Sequence, residues 1–352
     1  MIAGNAIFTL LILIVIVLGG TLYFGQQRFE APGPLAQEKV VNIPRGLGLR
    51  DISDLLQREG VIDQPWVFIG GALVLKARGG LKHGEYMFAQ HASIADVVET
   101  MIQGKVMQHS LTLAEGLTSQ QIVAHLLAND ALTGEIKEIP PEGTLLPETY
   151  RFTRGMTREQ IIQRMQQAQQ HLLAEVWEHR SPDLALKTPQ QLVTLASIVE
   201  KETGRPEERS RVAAVFLNRL KSKMKLQSDP TIIYGLTGGK GALGHPLLRS
   251  EMEQPNPYNT YLISGLPPGP IANPGRAALE AVANPARTKD LYFVADGAGH
   301  HLFSETYEQH QKNVAKLRAI EHAAAAQQTA PADPVAGSDA KASASKPADV
   351  KP

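Results

Sequence analysis

Glu200 is the residue whose type and position could do chemistry. It lies in TPQQLVTLASIVEKETGR, residues 188–205. Thr188, Pro189 and Gln191 have the form of a capping box, with threonine as N-cap, proline at the first helical position and glutamine at N3. The pattern predicts a helix. At about 100° per residue, Leu192, Val193, Leu195, Ala196 and Val199 gather on one face, and Glu200 falls between Leu192 and Val193. Lys201 points the opposite way. A carboxyl on the buried side of a helix, near its C-terminal end, is pushed toward its protonated form by desolvation and by the negative end of the helix dipole. Such a group can act as a general acid near neutral pH. A structural role competes with this one, because carboxyls at the edge of an apolar stripe also pair with arginine, and Arg205, Arg209, Arg211 and Arg219 follow closely. Glu202, on the other flank of the stripe, reads as an ion-pair partner more than as an acid.

Other elements must position this acid and its substrate. A turn at Gly204 and Pro206 leads to a second amphipathic helix with Val212, Val215, Phe216 and Leu220. Gln227, Ser228 and Asp229 then precede Pro230 and a β-prone run, TIIYG. NPYNTY, residues 256–261, and the rigid turn GLPPGPI, residues 265–271, follow. Polar side chains on pre-set loops suit a sugar-binding cleft. Gln227, Tyr258 and Asn259 are candidates for binding sugar hydroxyls or N-acetyl groups, and each could equally be a loop hydrogen-bonder. Asp229 either caps a turn or stabilises substrate.

The segments LASIVEKET, VFLNRL, LQSDPTIIYG, NPYNTY, GLPPGPI, NPG and LYFVAD, in this order and spacing, closely resemble the YceG-like family of endolytic murein transglycosylases. The resemblance covers most of Val40 to Ala319. It implies a bacterial, membrane-anchored enzyme, needing no cofactor, that cuts peptidoglycan glycan strands internally. It places that family's catalytic glutamate at Glu200, acting as general acid and then base to leave 1,6-anhydro-MurNAc ends. One carboxylate suffices for that reaction, whereas ordinary glycosidases use two. Two other readings stay open: a muramidase that uses Glu200 with Asp229, and a non-catalytic, membrane-tethered peptidoglycan-binding scaffold.

The expected fold is α+β, divided into a membrane anchor (1–27), a linker (28–39), a LysM-like α/β module (40–108), an α+β catalytic domain (109–320) and a disordered tail (323–352). Residues 1–27 hold no charged side chain, and Ile7 to Phe24 is an almost unbroken apolar run, long enough to cross most of a bilayer. No positive n-region or cleavage site marks a cleaved signal peptide. Loop charges barely orient the span, so a periplasmic catalytic domain in a bacterial inner membrane follows from the implied substrate.

An internal repeat is visible after the anchor. VNIPRGLGLRDISDLLQREGVI and LTLAEGLTSQQIVAHLLANDAL each read as strand, glycine turn and amphipathic helix. GEYMFAQHASIADVVETM and PETYRFTRGMTREQIIQRM share Glu, Tyr and Phe at matching offsets before a helix. The glycan-binding character of the LysM-like part comes from the resemblance; no aromatic stacking platform stands out in it. Further on, Pro274 to Ala283 reads as helix, Leu291 to Ala295 and the residues after DGAGHH as a hairpin, and Glu305 to His322 as a polar helix. His300, His301 and His310 match no metal-ligand spacing. After Ala323 the chain is Ala, Pro, Ser, Lys and Asp, a composition that cannot form a core.

The 352 residues carry 35 basic and 35 acidic side chains, so no net field draws the chain to nucleic acid. The expected partners are glycan strands, the membrane and cell-wall synthesis enzymes. There is no cysteine, which excludes thiol catalysis and disulfides.

Overall fold

The computed structural model describes residues 2–75 and 80–329. The chain is a mixed α/β protein that divides into two compact units, one ending at Arg287 and one beginning at Thr288. The expected catalytic range 109–320 thus draws on both. The tail expected from residue 323 lies outside the described residues from 330 onward, and up to Thr329 the chain is helical.

The first unit starts with α1 (Ile2–Glu30), whose helix continues through the first residues of the expected linker. Its stretch Leu10–Glu30 is long and apolar enough to cross a membrane, and none of that stretch is buried in protein. Then follow β1 (Lys39–Ile43), α2 (Leu49–Arg58), α3 (Pro65–Val74), β2 (Gly84–Phe88) and α4 (Ile94–Gln103). A second pass of the same kind comprises β3 (His109–Thr112), α5 (Ser119–Leu127), β4 (Thr149–Phe152) and α6 (Arg158–Glu178).

The two passes correspond in detail. β1 pairs antiparallel with β2, placing Val41 opposite Tyr86, and β3 pairs with β4, placing Leu111 opposite Tyr150. Each tyrosine hydroxyl donates to the carbonyl four residues back, Tyr86 to Lys82 at 2.6 Å and Tyr150 to Leu146 at 2.7 Å. Seven residues after each tyrosine comes an N-cap, Ser93 with Asp96 and Thr157 with Gln160, closed in both directions as a capping box. The glutamates do not correspond, contrary to the sequence reading: Glu85 directly precedes Tyr86, while Glu148 lies two residues before Tyr150. A two-stranded sheet cannot stand alone in water, so each is backed by its helices. One core gathers Val41, Leu56, Phe68, Tyr86 and Met101, and another gathers Ile122, Leu126, Leu145, Phe152 and Met165. Glu85 of the first pass joins them, bonded to His109 and, at 2.9 Å, to Arg154 of the second.

The rest of the first unit is helical: α7 (Pro189–Glu202), α8 (Pro206–Lys221), α9 (Asp229–Thr237), α10 (Arg249–Met252) and α11 (Arg276–Ala283). α7 is buried along its whole middle, from Leu192 to Val199, where it packs on α8 and α11. The β-prone run TIIYG is a correction: it forms α9. Pro230 in the first turn pre-sets the helical backbone, and Thr231 and Ile232 are buried against neighbours, so packing overrides their strand propensity. The second unit holds the expected hairpin, β5 (Tyr292–Ala295) with β6 (His301–Ser304), followed by α12 (Tyr307–Thr329). Asp296 closes the hairpin turn by accepting from the backbone N–H groups of Ala298 and His300.

Candidate active site

Thr188 caps α7 by accepting from the Gln191 N–H at 3.2 Å, while the Gln191 side chain reaches back to Lys187 and not to Thr188. The helix so started runs until its last turn carries Glu200. The Glu200 side chain is only 5% exposed. One oxygen, Oε2, accepts from the Gly275 N–H at 3.0 Å; the other lies 3.7 Å from the Arg209 guanidinium. Gly275 is the N-cap of α11, so Glu200 spans the negative end of one helix and the positive end of another. Burial raises the Glu200 pKa above the ordinary carboxylate value, and the nearby Glu115 charge pushes the same way; the Gly275 hydrogen bond, Arg209 and Lys201 oppose it without cancelling it. Lys201 leaves the apolar face as expected, and its ammonium approaches the Gly116 carbonyl at 3.4 Å.

Glycine at 275 lets the Glu115 carboxylate come close to the backbone beside Glu200. A methyl group there would collide with the Glu115 carboxylate. Glu115 was not singled out in the sequence, since nothing in its local pattern, a loop between a strand and a helix, announces a partner 85 residues away.

A second carboxylate missed by sequence reasoning is Glu142. Its Oε1 accepts from the Ser119 N–H at 2.6 Å and from the Asn273 side chain at 2.9 Å, and Tyr234 also bonds it. Burial raises its pKa as well, against those three donors. Asn273 is fully buried and ties its own turn to residues 117–119 and 142–145: it also donates to the Leu117 carbonyl and Ser119 Oγ, and accepts from the Leu145 N–H. Two residues beyond it is the Gly275 N–H on Glu200. Tyr258 belongs to this cluster, its ring 4.9 Å from that of Tyr234.

Glu202 and Asp229 form a third group. Glu202 accepts from Ser228 Oγ at 2.5 Å. Asp229 accepts from the Tyr261 hydroxyl at 2.7 Å, and half-buried Tyr261 has its pKa raised by partial burial and by the nearby Asp229 and Glu202 carboxylates. Gln227 adopts a left-handed backbone (φ 54°), its N–H on Thr260 and its side chain near Arg219. Asn259 is completely buried, with its amide on the carbonyls of Met252 and Gln254 and its oxygen accepting from the Tyr261 N–H. The structure therefore brings Glu200 and Glu202 to one helix end, sets Glu202 beside Asp229 near Ser228 and Tyr261, and uses Asn259 to fix the loop that carries Tyr261.

A family model described as the YceG-like family matches residues 41–316. The chain belongs to the YceG-like family. Among relatives, it is 28% identical over 330 residues to the endolytic murein transglycosylase of Bacillus subtilis, covering 84% of this chain and 90% of that protein. It is 30% identical over 325 residues to the endolytic murein transglycosylase of Streptococcus pneumoniae, covering 78% of this chain but 58% of the longer streptococcal protein. A crystal structure of a YceG-like protein from Listeria monocytogenes is 31% identical, with a TM-score of 0.51, over 78% of this chain and 98% of that one.

Proposed function

We propose that this member of the YceG-like family is an endolytic peptidoglycan lytic transglycosylase whose acid is Glu200. The observation that carries the reading is a buried carboxyl at the end of α7 whose pKa is raised by desolvation, with one oxygen fixed by a backbone N–H. The names of its bacillar and streptococcal relatives supply the reaction class. Glu200 gives its proton to the glycosidic oxygen as the MurNAc–GlcNAc bond breaks. It then takes the proton of the MurNAc C6 hydroxyl as that oxygen attacks the anomeric carbon, closing the 1,6-anhydro ring. No water is consumed. Glu115 and Arg209 tune the acid in opposite directions, and Gln227, Asp229, Tyr258 and Glu202 lie on the elements that would flank the sugar. The first pass, residues 40–108, is assigned as the LysM-like, glycan-facing module, α1 as a single-pass anchor, and the catalytic helices to the periplasmic side.

Digestion of purified sacculi by the detergent-solubilised chain, with mass spectrometry of the ends, tests this. Anhydro ends are expected; reducing ends would mean hydrolysis, and intact glycan a scaffold.

The pH dependence has a definite sign. The first step needs the protonated carboxyl, so cleavage should decline as pH rises through the Glu200 pKa, on a limb lying above the ordinary glutamate value. Native Glu200 holds its proton more tightly than the unfolded chain does, so its contribution to stability is likewise complete in acid and lost as pH rises through the same value. A rate profile whose basic limb is unchanged in Glu115→Gln, where the like charge is gone, would count against this coupling; a downward move supports it.

A further inference from the structure

We propose that α3 is a second membrane contact: its free face lies in the lipid headgroup and upper acyl region of the bilayer that α1 spans. This rests on the reading of α1 as an anchor. From Gln64 to Leu75 the chain carries no charge, and α3 is an apolar helix of 10 residues, about 15 Å long and so too short to cross a bilayer. One face, with Val67, Phe68 and Ala72, enters the first core. The other stays open: Trp66 is 63% exposed, Val74 79%, and Leu73 and Leu75 about half. Three large apolar side chains of this short helix, with Leu75 at its C-cap, are left exposed, a concentration of apolar surface of the kind that marks an interaction surface.

What covers it follows from its neighbour. α3 packs directly on the outer end of α1, so closely that a methyl at Gly71 would collide with the Phe29 ring. Between the two helices lies a groove of about 380 Å³, walled by Leu22 and Gly25 of α1 and Trp66, Gly70 and Val74 of α3. Leu22 falls within the apolar run that ends at Phe24, so it sits where hydrocarbon gives way to headgroups, and α3 is alongside it. Tryptophan favours that depth, with an apolar ring and one N–H for the wet side. The open face of α3 is thus continuous with the lipid-facing surface of α1, and its occupant is lipid.

The chain has 2 tryptophans, and the other, Trp177, lies under the Arg180 guanidinium on α6. Trp177→Phe in the full-length chain leaves Trp66 as sole reporter. In phosphatidylcholine–phosphatidylglycerol vesicles brominated near the headgroup end of the acyl chains, Trp66 should lose most of its emission, and adding Val74→Asp should restore it. A chain that floats with the vesicles while Trp66 stays unquenched and open to aqueous iodide overturns the proposal and leaves the anchor standing. Trp66 shielded from both quenchers means a second copy of the chain covers the face, which also overturns it. A chain that fails to float overturns the anchor and this contact together.

Discussion

Replacing Glu200 with glutamine is expected to abolish glycan cleavage while leaving the fold intact. Glutamine keeps the size of the side chain and can still accept from the Gly275 N–H, which is 3.0 Å from Oε2. It cannot deliver a proton, and loss of general acid catalysis alone costs about two to four orders of magnitude in rate. Stability should hardly move or should rise slightly, because a carboxyl that is 5% exposed and penalised by burial is replaced by a neutral amide. Glu202→Gln is the internal control. Its partner Ser228 Oγ is a donor that an amide oxygen can still accept, so cleavage should persist at a measurable rate. Sacculus digestion and thermal unfolding read both variants. Near wild-type turnover in Glu200→Gln, or a dead Glu202→Gln, would move the acid along α7.

Asn273→Ala is expected to give the larger loss of stability, about 2–4 kcal/mol, read by denaturant unfolding. The alanine leaves the Leu145 N–H without its acceptor and takes a donor from Glu142, both in the buried interior. Leaving buried polar groups unpaired costs more than the lost bonds are worth. Glu142, whose pKa burial already raises, loses one of the donors that hold it down, so it should shift further up. Cleavage by the folded fraction should also fall, since the 273–275 turn that aims the Gly275 N–H at Glu200 loses its attachment to residues 117–119 and 145. Asn273→Asp keeps the acceptor for Leu145 but sets a charge against Glu142, and should be no better than alanine at neutral pH. An unfolding midpoint unchanged in Asn273→Ala would dissolve the assigned knot.

Local signals made part of this legible from residues alone. The face on which Glu200 lies follows from helical spacing, and the N-cap read at Thr188 accepts from the Gln191 N–H as expected. The repeat was readable because strand alternation and capping are short-range patterns. Arg209 was one of four arginines near enough in sequence to pair with Glu200, but Glu115 and Gly275 are brought to it by tertiary packing that no periodicity encodes. Glu142 looked like a loop residue beside two prolines, and only the closure of residues 119, 142, 234 and 273 gives it partners. α9 was misread because Thr231 and Ile232 favour strands when judged singly, whereas burial decides in context. α3 went unremarked for the opposite reason: an apolar stretch of ten residues without polar alternation has no preferred face until its neighbours are known.

The joint at Glu85 gives the molecule a kind of mechanical compliance. Glu85 belongs to the sheet of the first pass, yet both of its side-chain partners, His109 and Arg154, belong to the second, and each pass keeps an apolar core of its own. Burial opposes the Glu85 charge, but the bonds from His109 and Arg154 win and lower its pKa. The Glu85 charge that makes the joint is therefore present at neutral pH and is lost as pH falls through that lowered value. Protonating Glu85 would loosen this join between the two passes with neither apolar core having to open.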